Sequence, residues 1–373
     1  MPDRLKVGFW SPVFCRAGGT ETWHSTLIAG LDRDRIEVVG LGVLDMDPVW
    51  PARAAEIERH CPIRYGPDGL LHVANDADVI VFWGLAAPEE VFPAGTTRRP
   101  LMVAAAHGDG QSAWTASVML HASQAADRFV AVSPGALDCI PKDRRADAAV
   151  IPNGVDPERV RPKIGRDEQR RAWGVPLNAK VVGMIGRHSD EKNPRALAEC
   201  VACLPPDWVG VALGDGPDMQ DTISHAFYTA GTRVFFPGVA DDIGSALGAI
   251  DVLLCPSHTE GFGYAIVEGW MAGVPVVSTP VGVAATQFPH PTEAAVFYPT
   301  TLLAGVRPTG REMAESVLIA HADYIEPERR KAFFDAARDV AAREFSAAAF
   351  CRRWSDFLVE SACPSISATT RYA

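Results

Sequence analysis

Residues 255–273 read CPSHTEGFGYAIVEGWMAG. The run before and into it, DVLLCPS (251–257), is short, apolar and β-prone, and the residues after Gly263 have the pattern of a helix starting near Tyr264. A strand that passes through a glycine loop into a helix is half of a βαβ unit. Two carboxylates, Glu260 and Glu268, flank this turn. Backbone N–H groups of Gly261, Phe262 and Gly263 would point outward at the helix start, where an anion is favoured. A carboxylate one turn into the helix, and another in the loop, can accept from hydroxyl groups around the same volume. The plainer reading is a core helix whose dipole Glu260 complements and on whose surface Glu268 lies.

The same unit recurs from end to end. One series of apolar runs is 5–10, 36–44, 77–83, 100–106, 128–133 and 148–152. A second is 179–186, 208–214, 233–238, 251–257, 274–279 and 294–298. They are continuous rather than alternating, as strands covered on both faces must be. Helical segments between them predict right-handed crossovers and parallel sheets. The pattern pauses over 152–176, rich in Pro, Gly and charge, so two doubly wound domains are expected, 1–155 and 156–345. After 305 come three helical patterns, at 310–322, 326–342 and 346–361. The stretch 363–373 is expected to be a flexible tail.

Composition narrows the function. The 373 residues exceed a single core and are 47% apolar, which describes a globular chain of about two domains. A net charge of −11 with no basic cluster argues against nucleic acid as a partner. No basic amphipathic helix or long apolar run supports stable membrane association. The N-terminus MPDRLKVGFWSP carries charges where a signal peptide needs an apolar stretch, so the expectation is cytoplasmic. Eight cysteines at this length do not make a disulfide framework. Cys200 and Cys203 would share one helix face and are read as two buried small residues, since a structural zinc needs a second pair.

In doubly wound sheets ligands bind beyond the carboxyl ends of the strands, so the other strand-to-helix turns matter most. After the first strand, Gly18-Gly19 precede a helix beginning near Thr20, a turn that lets a ligand approach the backbone. After 100–106 comes HGDGQSA, led by His107, at a strand end either a structural histidine or a site residue; Gly108–Ala113 matches G-x-G-x-x-A, but sits mid-domain rather than in the first unit. VVGMIGRHSDEKNP (181–194) sets Arg187 and Lys192 at a strand end, either a fork and a point charge suited to a diphosphate or a solvated loop in which two cations fall close by coincidence. GDGPD (214–218) reads as a turn. Asp45-Met46-Asp47 superficially resembles a metal-binding DxD, against which the double Rossmann pattern argues.

Together the GGTE turn, His107, NGVD (153–156), Arg187 with Lys192, GDGP, EGFGYAIVE and GWMAGVPVVSTPVG resemble the retaining GT-B glycosyltransferases of family 4, over nearly the whole chain. The resemblance implies two facing Rossmann-like domains with an interdomain cleft, the last helix (346–362) packing back on the first domain. It implies a nucleotide-sugar donor, UDP-, GDP- or ADP-linked. Gly18 and Gly19 of the first domain would meet it, with Arg187, Lys192, Val239, Glu260, Gly261, Phe262, Gly263 and Glu268 of the second. The base would be read by backbone around Pro237–Ala240. His107, Glu260, Arg187 and Lys192 would carry catalysis. Glu268 would take the ribose, Glu260 the transferred sugar, and His107 would bond the sugar and support developing charge. No metal and no cofactor are implied. The acceptor is expected to be soluble and small. Trp10, Phe14, Trp23, Trp83 and Trp114 in the first domain hint at a bulky or partly apolar one, the plainer reading being that most of them are core. The alternatives are a non-catalytic sugar-nucleotide binder and a nicotinamide-dependent oxidoreductase using GDGQSA.

Overall fold

The computed structural model describes residues 4–11, 18–44, 51–83, 99–108, 113–286, 300–303, 305, 307–330 and 335–362. These divide into two compact units. One runs up to Gly154 and includes the helix that begins at Ala347; the other is Val155–Ser346.

In the first unit the strands are β1 (Leu5–Ser11), β2 (Ile36–Val43), β3 (Ile63–Tyr65), β4 (Val79–Phe82), β5 (Leu101–Ala106), β6 (Arg128–Ala131) and β7 (Ala149–Val150). They form one parallel sheet in the order β3-β2-β1-β4-β5-β6-β7. Strand order reverses between β1 and β4, the doubly wound topology. Five of the seven residues of β1 and all four of β4 are buried, which is why their sequences are continuously apolar. The final helix, Ala347–Ala362, completes this core. Its Trp354 meets Trp23 edge to face at 5.5 Å, and the Asp32 N–H donates to Ser355 Oγ at 3.1 Å.

The second unit has β8 (Lys180–Ile185), β9 (Trp208–Leu213), β10 (Val234–Gly238), β11 (Val252–Cys255), β12 (Val276–Ser278) and β13 (Thr300–Leu302). Their order, β10-β9-β8-β11-β12-β13, is again doubly wound, with the switch between β8 and β11. A fully buried Arg170 fastens the helix Arg166–Trp173 to this sheet. It donates to the carbonyls of Ala249, Leu177 and Ala179 and, at 2.8 Å, to Asp251. Asp251 also accepts from Arg166 and from the Val181 N–H.

Three expectations need correcting. β3 went unread, because three residues at a sheet edge, two of them exposed, leave no apolar run. β13 (Thr300–Leu302), again only three residues, also went unread, and the strand expected at 294–298 falls outside the described residues. Cys200 is buried, its thiol pushed up to about 12 chiefly by burial, but Cys203 ends its helix exposed. Asp45–Asp47 and Asp109–Ser112 also lie outside the described residues.

Candidate functional site

The two segments that flank the switch point of the second unit are tied to each other by backbone. The His258 N–H donates to the Glu191 carbonyl at 2.8 Å, and Asn193 Nδ2 reaches the Pro256 carbonyl at 3.4 Å. Asn193 sits at φ 51°, a left-handed position that asparagine tolerates and β-branched residues do not. This brings Lys192 Nζ to 2.8 Å from Glu260 Oε2. Ser257 Oγ, buried, donates to the other carboxylate oxygen at 2.9 Å. Both side chains of the pair keep part of their surface exposed, so a ligand can compete for them. Arg187, on the same turn as Lys192, is exposed and meets no acidic side chain among the described residues.

The GDGP turn braces Arg187 rather than merely reversing the chain. The His188 N–H donates to the Asp215 carbonyl at 2.9 Å and the Asp218 N–H to that of His188 at 3.0 Å. Gly214, at φ 139°, lies so close to Gly186 that a Cβ would be 1.8 Å from its carbonyl oxygen. Only glycine permits that approach. His188 is buried, and its pKa is lowered chiefly by burial, so it adds no cation to the turn.

The helix Tyr264–Ala272 begins at Gly263 with no side chain capping it, and thus presents its N-terminus to the loop of Glu260. The loop is held from the side by the turn after β12. The Val283 N–H donates to the Phe262 carbonyl at 2.8 Å and Thr279 Oγ1 to that of Ser257 at 2.6 Å. A Cβ on Gly282 would lie 2.3 Å from the Phe262 oxygen, which accounts for the glycine in STPVG. Phe262 is an anchor, buried and edge to face with Tyr264 and Phe345.

Glu268 is not a surface residue. It is 4% exposed, and Arg159 Nε donates to its Oε1 at 2.8 Å. Arg159 went unread in the sequence, for it is 109 positions away and its partner's need for a cation shows only on folding. Val239 lines a cavity of about 320 Å³ under the helix Arg166–Trp173, with Trp173, Phe236, Pro237 and Ala240. That is at the lower end of the range for small-molecule pockets.

In the first unit Gly18 and Gly19 open the helix Gly19–Gly30 just beyond β1. The buried Glu21 folds back over the turn, and a Cβ on Gly18 would meet its Oε2 at 2.1 Å. Room for this carboxylate is thus one reason for glycine at 18, and Glu21 already complements the helix dipole. His107, beyond β5, packs edge to face on Trp23 at 4.8 Å; its Nε2 is buried and meets no hydrogen-bonding partner among the described residues. Burial, together with the nearby His24 imidazole, lowers its pKa to about 3; burial lowers that of His24 to about 4. His107 is therefore a neutral hydrogen-bonding group at neutral pH and brings no positive charge. Trp10 and Trp23 are fully buried core, not acceptor surface; Phe14 and the side chain of Trp114 lie outside the described residues.

These histidines predict an acid limit to stability. Both bind a proton near pH 6.5 when unfolded but only near pH 4 or 3 when folded, so the unfolded chain takes up more protons in that window. Stability is full above about pH 6.5 and falls with pH by about 1.4 kcal/mol per unit per histidine. Urea midpoints at about pH 7, 5.5 and 4.5 measure the slope. Replacing His107 by Leu removes its share, and an unchanged slope would refute the assignment.

Residues 165–302 match the family of glycosyl transferases group 1. The D-inositol 3-phosphate glycosyltransferase of Corynebacterium urealyticum is 31% identical over 153 residues, 37% of this chain and 36% of that one. The 2-deoxystreptamine glucosyltransferase of Streptomyces kanamyceticus is 35% identical over 143 residues, 36% of each. The chain thus matches about a third of the length of these relatives. Over 95% of its residues it superposes on all of Anabaena HepE, solved with UDP and glucose, with a TM-score of 0.77 and 21% identity. The two doubly wound sheets are those of the GT-B fold, and residues 165–302, which match the glycosyl transferases group 1 model, lie within its second unit.

Proposed function

We propose that the protein transfers a sugar from a nucleotide-diphosphate sugar to a hydroxyl of a soluble, small acceptor, without a metal and with retention of configuration. One observation carries the reading: Lys192 and Glu260 meet at the switch point of the second sheet, beside a helix N-terminus that no side chain caps. Cleaving the sugar–phosphate bond leaves extra charge on the diphosphate, and fixed cations and N–H groups aimed there lower the barrier. Lys192, Arg187 and the turn at Gly261–Gly263 supply them. Lys192 moves from Glu260 to phosphate, which frees Glu260 to hold sugar hydroxyls. The base goes against Val239 and the ribose against Glu268. His107, neutral, takes part as a hydrogen-bonding group.

No side chain is positioned as a nucleophile among these residues, so the reading assigns the acceptor's proton to a donor phosphate oxygen. The two relatives described above are named for D-inositol 3-phosphate and 2-deoxystreptamine, both small polar molecules, which supports a small acceptor here, whereas others are named for lipopolysaccharide core and for a diphosphoundecaprenol-linked sugar. A thermal-shift screen of UDP-, GDP-, ADP- and TDP-sugars tests the donor half. One of them is expected to raise the unfolding midpoint by several degrees at about 100 times its Kd. No shift with any would refute the donor site.

A further inference from the structure

We infer that Arg159 is the positioning residue of the ribose subsite, holding Glu268 by one oxygen so that the other faces the ribose hydroxyls. The inference rests on the donor reading above and adds to it a residue outside the strand-to-helix turns. Glu268 lies one turn inside its helix and is almost wholly buried. A carboxylate taken out of water needs a partner to remain charged, and Arg159 Nε at 2.8 Å is that partner. The Arg159 side chain is a third exposed, so it reaches Glu268 from the edge of the unit rather than from the core.

Local structure explains how Arg159 is aimed. Asp156 caps the short 3-10 turn Pro157–Val160 by accepting from the Glu158 N–H at 3.0 Å, and Pro157 presets its first residue. The turn packs on the helices Ile243–Ala249 and Tyr264–Ala272. Within it the Arg159 N–H donates to the Asp156 carbonyl at 3.0 Å. The NGVD motif therefore ends on the cap that fixes Arg159, a use for it within this unit alone. Only Oε1 of Glu268 is engaged by Arg159 Nε, so Oε2 is the oxygen offered to a vicinal diol. Ser257 holds Glu260 in the same one-oxygen manner.

The test separates ribose recognition from folding. Calorimetry would compare UDP with 2′,3′-dideoxy-UDP, and the GDP and ADP pairs if UDP does not bind. Wild type is expected to favour the ribonucleotide about tenfold or more, as hydrogen bonds to a charged acceptor do. In Arg159→Gln the preference is expected to collapse to within about twofold, while affinity for the dideoxynucleotide stays within about twofold of wild type. Arg159→Lys, which retains a cation, serves if the glutamine variant does not fold, and is expected to keep part of the preference with the same dideoxynucleotide affinity. A preference that survives in Arg159→Gln overturns the inference. So does an equal loss for both nucleotides, which would make Arg159 a structural residue only. If wild type binds the ribonucleotide without discrimination, the Arg159 assignment falls and the donor reading stands. If it binds no nucleoside diphosphate, both fall.

Discussion

Lys192→Ala is expected to lower kcat/KM for sugar transfer by on the order of 10³, about 4 kcal/mol of transition-state stabilisation. The substitution removes the cation that stabilises the departing diphosphate, and Arg187 on the exposed side of the turn replaces only part of it. Stability should hardly change. The Lys192–Glu260 pair retains 23% and 17% of its side-chain surface, and partly exposed pairs contribute little net energy. Glu260→Gln should lower transfer by a comparable factor through the sugar rather than the phosphate. Its effect on binding has the opposite sign: with no carboxylate to leave, Lys192 meets phosphate at no cost, so nucleoside diphosphate affinity is unchanged or higher. Lys192→Ala should weaken that affinity. Wild-type turnover in either variant, with the correct donor, would sink the assignment.

Arg170→Met carries the largest expected effect on stability. Arg170 is 1% exposed, and its guanidinium serves three carbonyls besides Asp251. Methionine fills much of the volume but leaves those carbonyls without their donor and Asp251 with only Arg166 and a backbone N–H. Breaking one side of a buried pair costs about 3–5 kcal/mol. For a unit of this size that is on the order of 10 °C in unfolding midpoint. Arg166→Ala, on the exposed side of the same carboxylate, should cost no more than about 1 kcal/mol. Equal effects from the two variants would mean that burial does not set the strength of this cluster. Because the same helix lines the cavity at Val239, Arg170→Met should also loosen nucleotide binding.

Much of this was legible in the sequence because parallel strands covered on both faces must be apolar along their whole length. Most of the first-unit strands and β8–β12 declare themselves in that way together with their crossovers. β3 does not, being a three-residue edge strand. The EGFG stretch was likewise readable as a strand-to-helix turn, with Arg187 and Lys192 at the end of the neighbouring strand. The aromatic residues of the first unit left two readings open, because a tryptophan near a strand end looks alike in sequence whether it is core, as Trp10 and Trp23 are, or surface.

By itself the sequence determined two doubly wound sheets and the turns where charge collects, since both follow from local period and residue type. Tertiary structure alone decided which charges meet. Lys192 finds Glu260 from the opposite side of the switch point, Arg159 finds Glu268 across 109 positions, and Arg170 finds Asp251 across 81. It also decided that His107 and His24 are neutral, since burial rather than residue type sets their proton affinity. Pairing and desolvation depend on what lies within a few ångströms in space, and only the folded chain brings those residues together.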